Sequence, residues 1–173
     1  QHDVVWNAFV ANSIKPSHIL NADSLHKVLM NYSLAKRDYL WTITINSMSS
    51  EYDRVIQLVE LYNKGEILDL GDKEQVRLLL ILFSWMLSSS NRKIRDITSK
   101  AMIEILKEHF EFVEYILDLF KDVNDPYIIQ RLYGIAFGAC TKRTDQSKEV
   151  FKSLVGFIYK NIVSKTFYFS SPI

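Results

Sequence analysis

Asn-Arg-Lys-Ile-Arg-Asp-Ile-Thr-Ser-Lys-Ala-Met at residues 91–102 and Asp-Pro-Tyr-Ile-Ile-Gln-Arg-Leu-Tyr-Gly-Ile-Ala at 125–136 follow one pattern. Offset by 34, Ile94 falls on Ile128, Thr98 on Leu132, Ala101 on Ile135 and Met102 on Ala136. Each copy opens with a capping Asn or Asp, whose side chain accepts the free N–H groups of a first helical turn. Pro126 stands at the first helical position, where its missing N–H costs nothing. After two intervening residues comes a β-branched apolar residue, then small or apolar residues along the same helix face. A hairpin with such a face cannot bury it alone, so the pattern predicts an all-α fold of stacked antiparallel helical hairpins. The alternative is two amphipathic helices that are alike by chance.

Around the repeat, helical periodicity predicts eight or nine short helices, and stacked hairpins of this kind resemble α-solenoids of HEAT or TPR type. The first covers residues 3–14 and stops at Pro16; the second runs from an Asp23 cap to about Tyr32. Residues 39–47 read as helix or strand, because Thr42 to Ile45 is a β-branched run. A fourth helix follows Ser49-Ser50, carries Val55, Ile56, Leu58, Val59 and Leu61 as its stripe, and ends at Asn63-Lys64-Gly65. The fifth, capped by Asp72, is apolar on every side in its second half, which predicts the most central position. Further helices are expected over 92–108, 110–121, from Asp125-Pro126, and over 145–163. Residues 1–163 are thus read as one helical-repeat domain and 164–173 as a tail. Gln1 in place of Met, followed by the apolar Val4-Val5-Trp6, predicts a piece excised from a longer protein.

Composition agrees with helices. Five Gly and three Pro stand in 173 residues, where an average chain of this length carries about twenty together. Tight strand turns and phosphate-binding loops need glycine, so a β-sandwich, a β-barrel or a nucleotide-binding α/β fold is disfavoured. Gly134 and Gly138 lie on one face of the helix that Pro126 opens. Close approach of a neighbouring helix is the reading for both, since Gly in a helix interior costs about 1 kcal/mol relative to Ala. Cys140 is the only cysteine, which fits a reducing compartment such as the cytoplasm. The longest apolar stretch, Leu78 to Leu87, is about half a membrane span.

No phosphate-binding, dinucleotide-binding or nucleophile-elbow motif occurs in the sequence. His2, His18, His26 and His109 lack metal-ligand spacing, and no pair of acidic residues stands out for acid–base work. The chain is read as non-catalytic, without cofactor or metal. Arg92, Lys93, Arg95 and Lys100 open a helix whose N-terminus repels cations. They therefore need partners, and Asp96, Asp122 and Asp125 are the candidates for a ladder between stacked helices, with Arg131 in the equivalent place of the next unit. Arg92, Arg95, Asp96, Asp125 and Arg131 are accordingly the candidate inter-helix or partner-contact residues. The alternative is a nucleic-acid patch that adds Lys142, Arg143, Lys148 and Lys152, although the net charge is only +1 and no aromatics interleave these residues.

The repeats are similar to HEAT repeats, whose second helix opens with an Asp-Pro-x-Val-Arg-like turn. Asp125-Pro126-Tyr127-Ile128 matches, with Ile129 in place of the basic residue. Arg37-Asp38-Tyr39-Leu40-Trp41-Thr42, Trp85, Ser90-Asn91-Arg92-Lys93-Ile94-Arg95-Asp96 and Ser99-Lys100-Ala101 together resemble a region of large bacterial STAND-type NTPases related to the antiviral Avs defence group. Val123-Asn124-Asp125-Pro126-Tyr127 and Gln130-Arg131-Leu132-Tyr133-Gly134-Ile135-Ala136-Phe137-Gly138 extend the resemblance, which covers about residues 34–160. The family favours Tyr-Gly where this chain has Phe137-Gly138. The resemblance implies a helical-repeat segment downstream of an NTPase core, in a protein that senses a phage component and then oligomerises. A protein partner is the corresponding expectation.

Overall fold

The computed structural model describes residues 9, 12–47, 54–64, 72–143 and 148–163, and every regular element among them is helical. Eight helices follow in chain order among these residues. They are α1 (Ala22–Met30), α2 (Leu34–Arg37, then π-helical Asp38–Thr42, then Ile43–Ser47), α3 (Arg54–Asn63) and α4 (Lys73–Met86). After them come α5 (Arg92–Glu108), α6 (Phe112–Phe120), α7 (Pro126–Lys142) and α8 (Lys148–Ile158, ending in π-helical Tyr159–Val163). Most of the helix expected over 3–14, the Ser49-Ser50 start, Gly65 and the 164–173 tail lie outside the described residues.

Three of the expected caps form. Asp72 accepts the Glu74 N–H at 3.4 Å, Asn91 that of Lys93 at 2.9 Å, and Asp125 those of Tyr127 and Ile128. The Asp23 cap does not. Asn21 caps α1 instead, accepting the Ser24 N–H at 3.1 Å while its own amide donates to the Pro16 carbonyl at 2.9 Å. Asp23 sits within the first turn and turns its carboxylate to Arg77. Residues 39–47 are helical rather than extended. Arg37, Trp41 and Ile45 recur every fourth residue and are all buried. The wide π turn suits that spacing, because its larger period keeps i, i+4 and i+8 in line.

α4 is the central helix. Leu78 through Leu87 each expose 1% or less, and α4 packs against α1, α5, α6 and α7. Burying each large apolar side chain contributes about 1.5–3 kcal/mol, so this run dominates the core. Ser84, alone among the apolar residues, satisfies its hydroxyl on the Leu80 carbonyl at 2.7 Å. Trp85 is the hub: its Nε1 donates to His26 Nδ1 at 3.2 Å, its ring meets Phe120 at 5.2 Å, and its carbonyl accepts from Trp41 Nε1 at 2.9 Å.

The residues of the 34-residue sequence pattern lie where α5 and α7 pack. All eight equivalent residues, from Ile94 to Met102 and from Ile128 to Ala136, are buried. The two helices lie against each other and run in the same direction. Asp96 meets Arg131, Ile103 meets Gly138 and Glu104 meets Lys142, in ascending order on both. α3 packs on the other side of α5, and α6 returns the chain between α5 and α7. Gly138 does allow close approach: a Cβ there would stand 2.7 Å from Ile103 Cδ1. Gly134 does not, since a Cβ there would meet nothing within 4 Å.

Candidate functional site

A groove of about 570 Å³ opens where the N-terminal ends of α5 and α7 face α2. Leu34, Asp38 and Thr42, one face of α2, form one wall, and Asp125, Pro126 and Tyr127 form the other. The Ser88–Ser90 turn and Arg95 close the end. Two of the expected residues, Arg95 and Asp125, are thus brought together in one groove.

Arg95 does not pair with an aspartate. Its Nη1 donates to the Ser89 carbonyl at 2.6 Å, and its buried Nε has no hydrogen-bond partner. Asp125 also makes no direct ion pair, because its Oδ1 is taken by the Tyr127 and Ile128 N–H groups at 3.0 and 3.3 Å. At 6% exposure, burial pushes its carboxyl above the ordinary value, against the pull of those N–H groups and of the nearby Arg37 charge. Arg37 itself is 4% exposed. It donates Nη2 to the Asn124 carbonyl at 2.7 Å and lies over the Trp85 ring.

Of the expected ladder one inter-helix rung forms, Arg131 on Asp96, and Arg92 reaches the same carboxylate from within α5. Arg131 Nη1 reaches Asp96 Oδ1 at 2.9 Å and Ser99 Oγ at 3.2 Å, and Arg92 Nε reaches Asp96 Oδ2 at 3.4 Å. Burial opposes ionisation of Asp96, but Arg131 and Arg92 outweigh it and hold the carboxyl below its ordinary value. Asp122 is exposed and takes no part in the ladder.

The serines of the turn hold its shape. Ser88 Oγ donates to the Trp85 carbonyl, Ser89 Oγ to Asn46 Oδ1 at 2.7 Å, and Ser90 Oγ accepts from Asn46 Nδ2. No histidine or cysteine lines the groove to pair with them as base or nucleophile. Among the described residues, no group of three or more His, Cys, Asp or Glu is placed to hold a metal ion. None of the described helices is long and apolar enough to cross a membrane. The arrangement can offer hydrogen bonds, one cation and aromatic surface to a ligand.

No protein-family model, curated protein or solved structure matches the chain.

Sequence reasoning missed a second polar cluster. Arg77, inside the apolar α4, donates through both terminal nitrogens to Asp23, through Nε to Glu74 at 2.9 Å, and through Nη1 to Tyr115 at 2.7 Å. These bonds tie α1, α4 and α6 together and hold Asp23 and Glu74 below their ordinary values. A lone arginine next to an unbroken apolar run was the available signal, since a charge there must be paired. His26 was readable only as partly buried. Burial lowers its value, and the neutral ring accepts from Trp85 at Nδ1.

Proposed function

We propose that the chain is a HEAT-like segment of a helical solenoid, a sensor or scaffold that binds a protein partner at the α2–α7 groove. One observation carries the reading: Tyr127, which lines the groove, is 68% exposed. On α2, Tyr39 and Ile43, next in sequence to the lining residues Asp38 and Thr42, are 71% and 57% exposed. Aromatic residues at the edge of a pocket are the side chains that anchor protein interfaces. The parallel packing of α5 and α7 at a 34-residue offset supports the repeat reading. The resemblance to STAND-type NTPases supports a phage component as the partner and antiviral defence as the role.

A nucleic-acid interface has less support. Lys142 is tied to Glu104 at 3.0 Å, and Arg92 and Arg131 both reach Asp96. Carboxylates therefore offset positive charge in both basic groups. The test is a pull-down of phage structural proteins with the chain and with its Tyr39→Asp/Tyr127→Asp variant. Capture by the parent sequence and loss in the variant, at unchanged helicity, is the expected result. Recovery of no phage protein by the parent sequence would overturn the reading.

A further inference from the structure

His26 ties α1 to the core through one acceptor nitrogen. Trp85 of α4 is 1% exposed, and its Nε1–H donates to His26 Nδ1 at 3.2 Å. The imidazole is partly buried, with its centre 5.6 Å from the Trp85 ring and edge-on to Phe120 of α6 at 4.9 Å. An indole nitrogen can only donate, so this bond requires the neutral tautomer with its lone pair on Nδ1. A proton added at Nδ1 would set two N–H groups face to face with no acceptor between them.

Among the described residues, the charge around this ring is already committed. On α1, Asp23 favours the imidazolium, but its carboxylate is engaged by Arg77 of α4, which also holds Glu74. Lys27, also on α1, stands near Asp23 and adds positive charge. On α6, the Tyr115 hydroxyl accepts from Arg77, and Lys121, next to Phe120, is paired with Asp118. From α2, the Arg37 guanidinium lies 5.6 Å from the centroid of the same Trp85 ring, so a second cation there is opposed. Burial outweighs the pull of Asp23 and moves the imidazole below its ordinary value of 6.5.

We propose that His26 is an acid-released latch: neutral, it holds α1 to Trp85, and protonated, it frees α1 from α4 without unfolding the core. Opening of α1 exposes the ring to water and restores its ordinary proton affinity. The open form therefore binds the proton more tightly than the closed form. The latch is at full strength above pH 6.5 and weakens as pH falls towards the lowered folded value. The proposal does not depend on what binds at the α2–α7 groove.

Native-state hydrogen exchange of the full chain, corrected for the intrinsic rate at each pH, tests this. The amides of His26 to Met30 are expected to open about ten-fold or more often than those of Leu78 to Met86. Between pH 7 and pH 5.5 their opening constant should rise about four- to eight-fold, as uptake of one proton requires. Asp23 and Glu74 titrate below that window and do not contribute. His26→Gln keeps an acceptor for Trp85 but cannot titrate, so its α1 opening should change by less than about two-fold. An equal rise in parent and variant overturns the proposal, as does α1 opening only together with α4. If His26→Gln loses helicity, the His26 ring resonance of the parent decides, and titration at or above pH 6.5 overturns the proposal.

Discussion

Asp125 combines two demands on one carboxylate. It caps α7, which favours a charged acceptor, and it is buried, which penalises that charge. Arg37 attracts the charge and Asp38 repels it, and burial exceeds both. With the folded value raised, the native state holds its proton more tightly than the unfolded chain. The resulting stability is full below the ordinary value of 3.8 and is lost as pH climbs through the raised value. Asp125→Asn keeps the acceptor without the charge, so its urea midpoint at pH 7 should equal or exceed the parent's. Asp125→Ala should fall about 1 kcal/mol below it. An Asn variant as unstable as the Ala variant would show that attraction to Arg37 outweighs burial. The two α7 glycines give a second comparison. Gly134→Ala meets open space and should gain up to about 1 kcal/mol in urea unfolding. Gly138→Ala must displace Ile103 and should gain clearly less, or lose. Equal gains would mean that Ile103 yields freely.

Elements were legible in proportion to how locally they are determined. Asp72, Asn91 and Asp125 cap helices because a cap needs only its own next two or three residues, and α5 spans 92–108 as its periodicity indicated. The Asp96–Arg131 pair was within reach because the two similar sequence segments predicted neighbouring helices. Arg37 and Arg77 were not, since their partners lie 87 and 54 residues away, at Asn124 and Asp23. Nor was the helicity of 39–47 readable, because burial of Trp41 under the Trp85 carbonyl overrides a local β-branched preference. Arg77 is the test at this scale, because its charged hydrogen bonds join three helices. Arg77→Met should cost about 1–2 kcal/mol at pH 7, the carboxylates being partly screened by solvent. It should also flatten the acid limb. Asp23 and Glu74 are held below their ordinary values of 3.8 and 4.5, so their contribution is present above those values and lost as pH falls below them. A parent and variant with parallel stability profiles between pH 5 and pH 3 would refute that account.

At the scale of the whole molecule, burial falls steeply from α4 to α8. α4 buries nine consecutive residues, Leu78 to Met86, whereas α8 buries only Leu154 among its described side chains and is fixed to α6 by Ser153 on Glu114 at 2.6 Å. Native-state hydrogen exchange should therefore place the α8 amides in the least protected unit and those of Leu78 to Met86 at the global limit. Uniform protection across α4 and α8 would contradict the grading. Such a gradient gives the molecule an order in time. α8 is expected to detach and return many times for each opening of the Trp85 core, exchangeable on a timescale at which α4 is permanent.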